Sequence, residues 1–230
     1  MEKIRPWEDA LQEMERLNEK DQKRMTQCSF KISSLNIQSL QAHFSDLKAD
    51  TEICTSQVIC LQETWCSIDS NSDNYCLGGK KCHLNSVRKG AGIATFYSSD
   101  FQFVGDFTAL SFQITVISSQ STIVLNLYRS QDACSDRLIK VITSIIKNED
   151  KCVIIAGDWN ICHRDETNHR IFNFLREEGF TQIFNPPRPT HSEGRCIDMI
   201  WSRNLNLSEI SMDVKFKYYS DHGVLYLSQT

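Results

Sequence analysis

The sequence predicts an α/β protein, and three features carry that expectation. Short apolar runs without alternation, Val58 to Leu61 and Cys152 to Ala156, suit strands buried on both faces and are too short for helices. From Phe30 onward such runs alternate with amphipathic helical ones. The middle of the chain, residues 90–129, reads instead as one antiparallel sheet.

Trp7, Ala10, Leu11, Met14 and Leu17 fall at helical spacing after Pro6, a good first-turn residue, so 6–26 is expected to form one amphipathic helix. This extension, 1–27, stands outside the alternating pattern. Packing on the domain, contact with a partner and attachment to an upstream domain are all open to it. Residues 28–230 are expected to form one domain. A strand from Lys31 ends in the amide Asn36, and a helix presenting Leu40, Phe44 and Leu47 on one face follows. The Val58 strand ends in Gln62 and the carboxylate Glu63. Lys80-Lys81 and Arg88-Lys89 flank a predicted loop. Next come Gly90–Tyr97, Phe101–Phe107, Ser111–Ile117 and Thr122–Arg129, the last run delivering Tyr128. A helix burying Leu138, Val141, Ile142, Ile145 and Ile146 leads to the Cys152 strand, and Gly157 is expected to turn the backbone where that strand leaves the core. A helix with Ile171, Phe172, Phe174 and Leu175 is closed by Gly179, and Asn185–His191 forms a loop. Ile197–Trp201 is a strand with an acid inside it, Asp198, which is costly unless paired. Asp221 and His222 precede the last strand, Val224–Leu227, which is expected to neighbour Ile197–Trp201 in one sheet and so bring Asp198 to His222.

Composition bounds what the protein does. Its 230 residues, 40% of them hydrophobic and 10% aromatic, suffice for one large domain with a full core. The ten cysteines are scattered through apolar runs, with no Cys/His cluster at zinc spacing, and read as free thiols of a reducing compartment. No stretch approaches the ~20 apolar residues of a membrane span, and the N-terminus lacks the apolar core of a signal peptide, so an intracellular, soluble protein is expected. A net charge of -4 and a pI near 5.9 argue against indiscriminate electrostatic binding to nucleic acid but leave room for a local basic face.

The stretch Gly157-Asp158-Trp159-Asn160 ends a buried strand in an acid and an amide two residues apart. One can take a proton from water while the other fixes that water or a phosphate oxygen. The same residues are ordinary turn formers, so alone the stretch supports a turn as well as a site. The balance shifts with the set. Asn36, Glu63, Tyr128, Asp158, Asn160, Asp198, Asp221 and His222 all follow or sit in predicted strands. Hard oxygen ligands, a water-activating acid and an acid-buttressed histidine are the types that metal-assisted phosphodiester cleavage uses. His43, His83, His163 and His169 read as surface or loop histidines.

Gln62-Glu63-Thr64, Gly157-Asp158-Trp159-Asn160, Ile197-Asp198 and Ser220-Asp221-His222, in that order, resemble the endonuclease/exonuclease/phosphatase superfamily. The likeness runs from about Phe30 to Leu227. Within it, the stretch from Leu35 to Leu40, Glu63-Thr64-Trp65, Tyr128-Arg129 and Pro189-Thr190-His191 look most like the apurinic-type endonuclease domains of non-LTR retrotransposons and Helitron-type elements. The resemblance implies a four-layered α/β sandwich, two mixed β-sheets face to face with helices outside, whose strand ends converge on one active site. It implies that Glu63, with Asn36, holds Mg2+ (Mn2+ as a substitute) and that Asp221 completes the metal or hydrogen-bond shell. By the same likeness Asp158 activates the attacking water, Asn160 and Tyr128 position phosphate oxygens, and His222, held by Asp198, donates to the scissile phosphate. Arg188, Thr190 and Arg195, around the Pro-Thr-His loop, are expected to meet the substrate. DNA is the implied partner, a nick leaving a 3'-hydroxyl the implied product, and the nucleus the implied location.

Two residues depart from the pattern. Gln38 stands where repair-type members often carry an Asp, which puts a second metal in doubt, and Trp159 replaces the usual Phe at an inward-packing position. Residues 203–217, where relatives place a substrate-probing hairpin, are short and carry few basic residues, so tight sequence readout is not expected. Two rivals remain: the same scaffold acting on another phosphoester, as a phosphatase or RNA nuclease, and a retired scaffold that only binds nucleic acid or protein. Retirement usually removes catalytic carboxylates, and here all are present.

Overall fold

Two parallel strand pairs, each closed by a helical crossover, form the centre of the molecule. The computed structural model describes residues 30–87, 90–147, 149–164, 168–183 and 188–229. The helix expected over 6–26, the Arg88-Lys89 pair and most of the proline-rich start of the 185–191 loop lie outside the described residues. The chain order is β1 (Lys31–Asn36), α1 (Leu40–Ala49), α2 (Thr51–Cys54), β2 (Val58–Gln62), β3 (Lys81–Asn85), β4 (Ile93–Tyr97), β5 (Gln102–Ala109), β6 (Phe112–Ser118) and β7 (Thr122–Arg129). Then come α3 (Ser135–Ile146), β8 (Cys152–Asp158), α4 (Arg170–Glu177), β9 (Thr181–Gln182), β10 (Asp198–Arg203), β11 (Ile210–Phe216) and β12 (Gly223–Gln229).

The strands form two six-stranded mixed sheets, β11-β12-β1-β2-β4-β3 and β5-β6-β7-β8-β10-β9. β1 runs parallel to β2, and β7 runs parallel to β8; the other pairings are antiparallel. Side-chain parity builds the layers, since successive residues of a strand point to opposite faces. In β2, Val58 and Cys60 enter the core between the sheets, while Ile59 and Leu61 join the core that also holds Leu40, Leu47 and Ile53 of α1 and α2. In β8, Ile154 and Ala156 face the other sheet, while Val153 and Ile155 pack with Leu138, Ile142, Ile171, Phe172 and Leu175 of α3 and α4. Both runs lack alternation because both faces are buried. The result is the four-layered sandwich.

A polar layer ties the sheets together near the carboxyl ends of the parallel pairs. Buried Asn126 of β7 reaches across the gap, and its Nδ2 donates to Ala94 O and Thr95 Oγ1, each at 3.0 Å, while its Oδ1 accepts from Gln62 Nε2 at 2.7 Å. This anchors the end of β2, one residue before Glu63.

Gly157 differs from its expected role. β8 continues through Asp158, and the glycine is needed because β7 comes so close: a Cβ there would lie 1.8 Å from Leu127 O. Relief would require separating two central strands. Gly157→Ala is therefore expected to cost about 4 kcal/mol of stability, measured by denaturant unfolding; a midpoint equal to wild type would contradict the close approach.

Three other expectations are corrected. The middle of the chain is not one sheet, because β4 belongs with β1 and β2 while β5 to β7 lie in the opposite sheet. Lys81 opens the edge strand β3 rather than flanking a loop. Residues 210–216, in the segment where relatives place a substrate-probing hairpin, form edge strand β11 along the whole of β12. Finally, β10 and β12 lie in different sheets, so Asp198 and His222 meet across the sandwich, not within one sheet. None of the nine cysteines among the described residues is in a disulfide, and no helix among those residues is long and apolar enough to cross a membrane.

Candidate active site

The carboxyl ends of β1, β2, β7 and β8 converge at one edge of the sandwich, the position where strand ends in α/β sheets characteristically build sites. Antiparallel β10 and β12 begin there. That topology explains why the singled-out residues follow some strands and precede others. Asp158 lies in register with Tyr128 on one side and Asp198 on the other, and Asn36 lies beside Gln62. Five of the six non-glycine residues with positive φ among the described residues sit just past these ends: Gln38, Ser39, Glu63, Trp65 and Asn160. Backbone strain of this kind concentrates where the surrounding structure must aim functional groups.

Asp158 is the centre. Its Oδ2 accepts from Asn36 Nδ2 at 3.0 Å and from Asn160 Nδ2 at 3.3 Å, and its Oδ1 accepts from the Asn160 backbone N–H at 2.9 Å. The second Asn160 amide hydrogen goes to Arg129 O at 2.8 Å. An amide NH2 has two hydrogens, so Asn160, expected to reach a phosphate oxygen, is occupied in orienting Asp158. Arg129 supports the same turn, donating from its buried guanidinium to Trp159 O at 3.3 Å and Ala133 O at 3.0 Å. Trp159 packs inward against Phe172, as expected for the aromatic of this motif.

Opposite stands His222, from the other sheet, paired with Asp198 of β10, the strand beside β8. His222 Nδ1 lies 2.8 Å from Asp198 Oδ2 and 3.1 Å from its Oδ1, which pairs the acid whose burial otherwise carries a cost. Ser220 Oγ donates to Asn36 O at 2.7 Å and accepts from the His222 N–H at 3.0 Å, locking this loop to the end of β1. Tyr219 Oη donates to Asp50, which caps α2, so the helical layer also holds the loop.

The ligand atoms of Asp158, Asp198 and His222 lie within 4.8 Å of one another, and their charges are coupled. Burial, and then the charge of Asp198, push Asp158 up to about 7 against the opposing pull of His222, Asn36 and Asn160. Burial alone would lower His222, but the Asp198 carboxylate prevails by charge and hydrogen bond and, with Asp158 and Asp221, raises it to about 9. An acid poised near neutrality faces a cationic imidazole. One proton acceptor and one donor therefore share a buried site at neutral pH.

The carboxylates gathered here suit a divalent cation, being hard oxygen donors, and one oxygen, Asp221 Oδ1, is buried and accepts no hydrogen bond. A second acid and histidine group joins His191, Asp221 and His222. Glu63 is half-buried just beyond β2 and belongs to neither group. Tyr128 is buried beside Ala91 and Ile93.

The loop residues separate. Thr190, expected to touch substrate, is fully buried, and its Oγ1 accepts from the N–H groups of Ile197 and Asp198 at 3.1 and 3.0 Å. It anchors the loop to the start of β10, which leaves its hydroxyl facing inward. Arg188 is largely exposed, 3.5 Å from Asp213, and Arg195 contributes its carbonyl to the turn, accepting from Thr190 and His191. His191, missed as a site residue, packs edge-on to His222 with ring centroids 4.7 Å apart. Its place directly after Thr190 in the quoted Pro-Thr-His motif was the available signal.

Fold and site together define a hydrolase-type scaffold of the nuclease and phosphatase kind. Residues 33–222 match the profile of the Endonuclease/Exonuclease/phosphatase family, and the chain belongs to that family. Among solved structures it is similar to the 3'-5' exonuclease NExo from Neisseria meningitidis, with 16% identity, TM-score 0.69 and coverage of 86% of this chain and 99% of that one. It is also similar to the endonuclease domain of TRAS1, a telomere-specific non-LTR retrotransposon, with 15% identity, TM-score 0.67 and coverage of 88% and 98%. A third likeness is to the AP endonuclease LMAP from Leishmania major, with 16% identity, TM-score 0.66 and coverage of 87% of each chain. Among curated protein sequences none matches at a significant level.

Proposed function

We propose that this chain is a metal-dependent DNA endonuclease that nicks to leave a 3'-hydroxyl, borne by or derived from a mobile element and acting in the nucleus. The observation that carries the reading is the buried Asp158 carboxylate, held by three N–H groups of Asn36 and Asn160 and facing the Asp198–His222 pair. Each carboxylate oxygen has two lone pairs. Oδ2 uses both on amides, whereas Oδ1 uses one, so Oδ1 has room for a water proton. As water oxygen bonds to phosphorus, that proton passes to Asp158 and the bond from phosphorus to the 3' oxygen breaks, the departing 3' oxygen taking a proton from solvent to become the 3'-hydroxyl. His222 Nε2–H, on the ring edge away from Asp198, donates to a phosphate oxygen as its charge grows, an effect worth about 10²–10³ in rate. Tyr128, in register with Asp158, is assigned to orienting the phosphate. Glu63, Asn36 and Asp221 would hold Mg2+, or Mn2+ in its place. The ion supplies Lewis-acid neutralisation of phosphate charge and stabilises the leaving oxygen.

DNA is favoured over a small phosphoester by Trp65, two residues past Glu63 and 45% exposed. An aromatic face beside a phosphate site suits a nucleobase. The similarity to a retrotransposon endonuclease domain supports the same substrate. The product tests the chemistry: plasmid nicked by this protein is expected to prime a DNA polymerase directly, without phosphatase treatment. Nicks that extend only after a 3'-phosphate is removed would contradict cleavage on the 3'-oxygen side.

A further inference from the structure

Asp221 has two differently placed oxygens. Oδ1 is buried without a hydrogen bond and lies 3.8 Å from His222 Nε2, whereas Oδ2 lies 3.4 Å from His191 Nε2. The ligand atoms of His191, Asp221 and His222 are close enough to suggest a second metal site, but the hydrogen bonds argue otherwise. His191 Nδ1 accepts from the Glu193 backbone N–H at 3.1 Å. A neutral imidazole carries one hydrogen, and with Nδ1 accepting, that hydrogen is on Nε2. A protonated Nε2 cannot ligate a cation, but it can donate to Asp221. The loop fixes this arrangement: the N–H groups of Thr190 and His191 both reach Arg195 O, Gly194 N–H returns to His191 O, and His191 pairs with His222 as a backbone bridge. The His191 side chain is only 14% exposed, so the ring has little freedom to turn.

We propose that His191 is a positioning residue: through its Nε2–H it holds Asp221 Oδ2, so that Oδ1 is presented to His222 and to the cation. This rests on the reading above only in assigning Asp221 to the cation. The hydrogen bond itself is a separate claim. The Pro-Thr-His motif then has a division of labour, with Thr190 anchoring the loop to β10 and His191 aiming the acid that precedes His222.

The test uses the whole chain and two readouts. Long-range proton–nitrogen spectra at pH 8 are expected to show His191 with hydrogen on Nε2 and a bare Nδ1; hydrogen on Nδ1 with a bare Nε2 would overturn the proposal. Calorimetric titration with Mn2+ supplies the second readout, in wild type, His191→Ala and His191→Gln. Loss of an outer partner of a ligand commonly weakens metal affinity about 10- to 100-fold, and that loss is expected for His191→Ala. The Gln amide N–H reaches about as far as Nε2, so His191→Gln is expected to recover most of it, a rescue that a merely space-filling role would not show. Equal Mn2+ affinity in wild type and His191→Ala would overturn the proposal. A wild type that has the Nε2–H tautomer and the affinity difference, yet never cuts DNA, would support it while contradicting the proposed activity.

Discussion

Asp158→Ala is expected to abolish nicking of supercoiled DNA, with loss of about 10²–10⁴ in rate from the missing base alone, while the protein stays folded. The fold should survive because Asp158 works against stability at neutral pH. Its folded pKa, about 7, lies above the ordinary carboxyl value of 3.8. A carboxyl raised in this way stabilises the fold below the unfolded pKa and loses that contribution as pH rises through about 7. Asp158→Asn, which keeps the shape and removes the repulsion from Asp198, is therefore expected to melt higher than wild type at pH 8 and to gain less at pH 5. Glu63→Ala is likewise expected to be inactive and folded, since the side chain is only half-buried beyond β2. Thermal unfolding and plasmid nicking on the same preparations check both parts. An active Asp158→Ala protein would remove Asp158 from the mechanism.

The second large effect belongs to the His222–Asp198 pair. With Asp158 ionising near 7 and His222 staying cationic to about 9, the rate is expected to rise through the first value and fall through the second. Asp198→Asn removes the charge that holds His222 up against burial, so the alkaline limb should move to lower pH and the rate should drop. His222→Ala should remove that limb and most of the activity. The sign for stability is the same as for Asp158, because both folded values are raised, but the window lies higher. A histidine whose folded pKa of about 9 exceeds the ordinary imidazole value of 6.5 contributes stability fully present below about 6.5, and this is lost as pH rises through about 9. A pH–rate profile of Asp198→Asn that matches wild type in position and height would leave Asp198 with a structural role alone.

Much of this site was legible because the fold puts chemistry where apolar runs stop. The runs ending at Gln62 and Ala156 are unbroken because both faces of β2 and β8 are buried, and sequence displays that burial directly. The carboxylates beyond them stand out for the same reason. Sheet membership was not legible. Parity says that Ile200 and Leu225 both face a core, but not that they approach the same core from opposite sheets. β3 escaped because it is an edge strand with few apolar residues and mostly intermediate burial, and α2 because it is a single turn capped by Asp50. Thr190 was misplaced for a different reason: a hydroxyl in a loop looks the same in sequence whether it faces substrate or, as here, the backbone N–H groups of Ile197 and Asp198. His191 was marked by the Pro-Thr-His motif, but its significance lies in a contact with Asp221, 30 residues away, which the motif does not encode.

The central claim is that the acid and histidine cluster at the strand ends performs metal-dependent phosphodiester cleavage of DNA. It is tested most directly by incubating supercoiled plasmid with the wild-type chain in Mg2+, in Mn2+ and with excess chelator, beside Asp158→Ala in Mg2+. Conversion to the open circle with either ion, and its absence with chelator or with Asp158→Ala, is the predicted result. Nicking that persists in chelator, or that Asp158→Ala retains, would contradict the account.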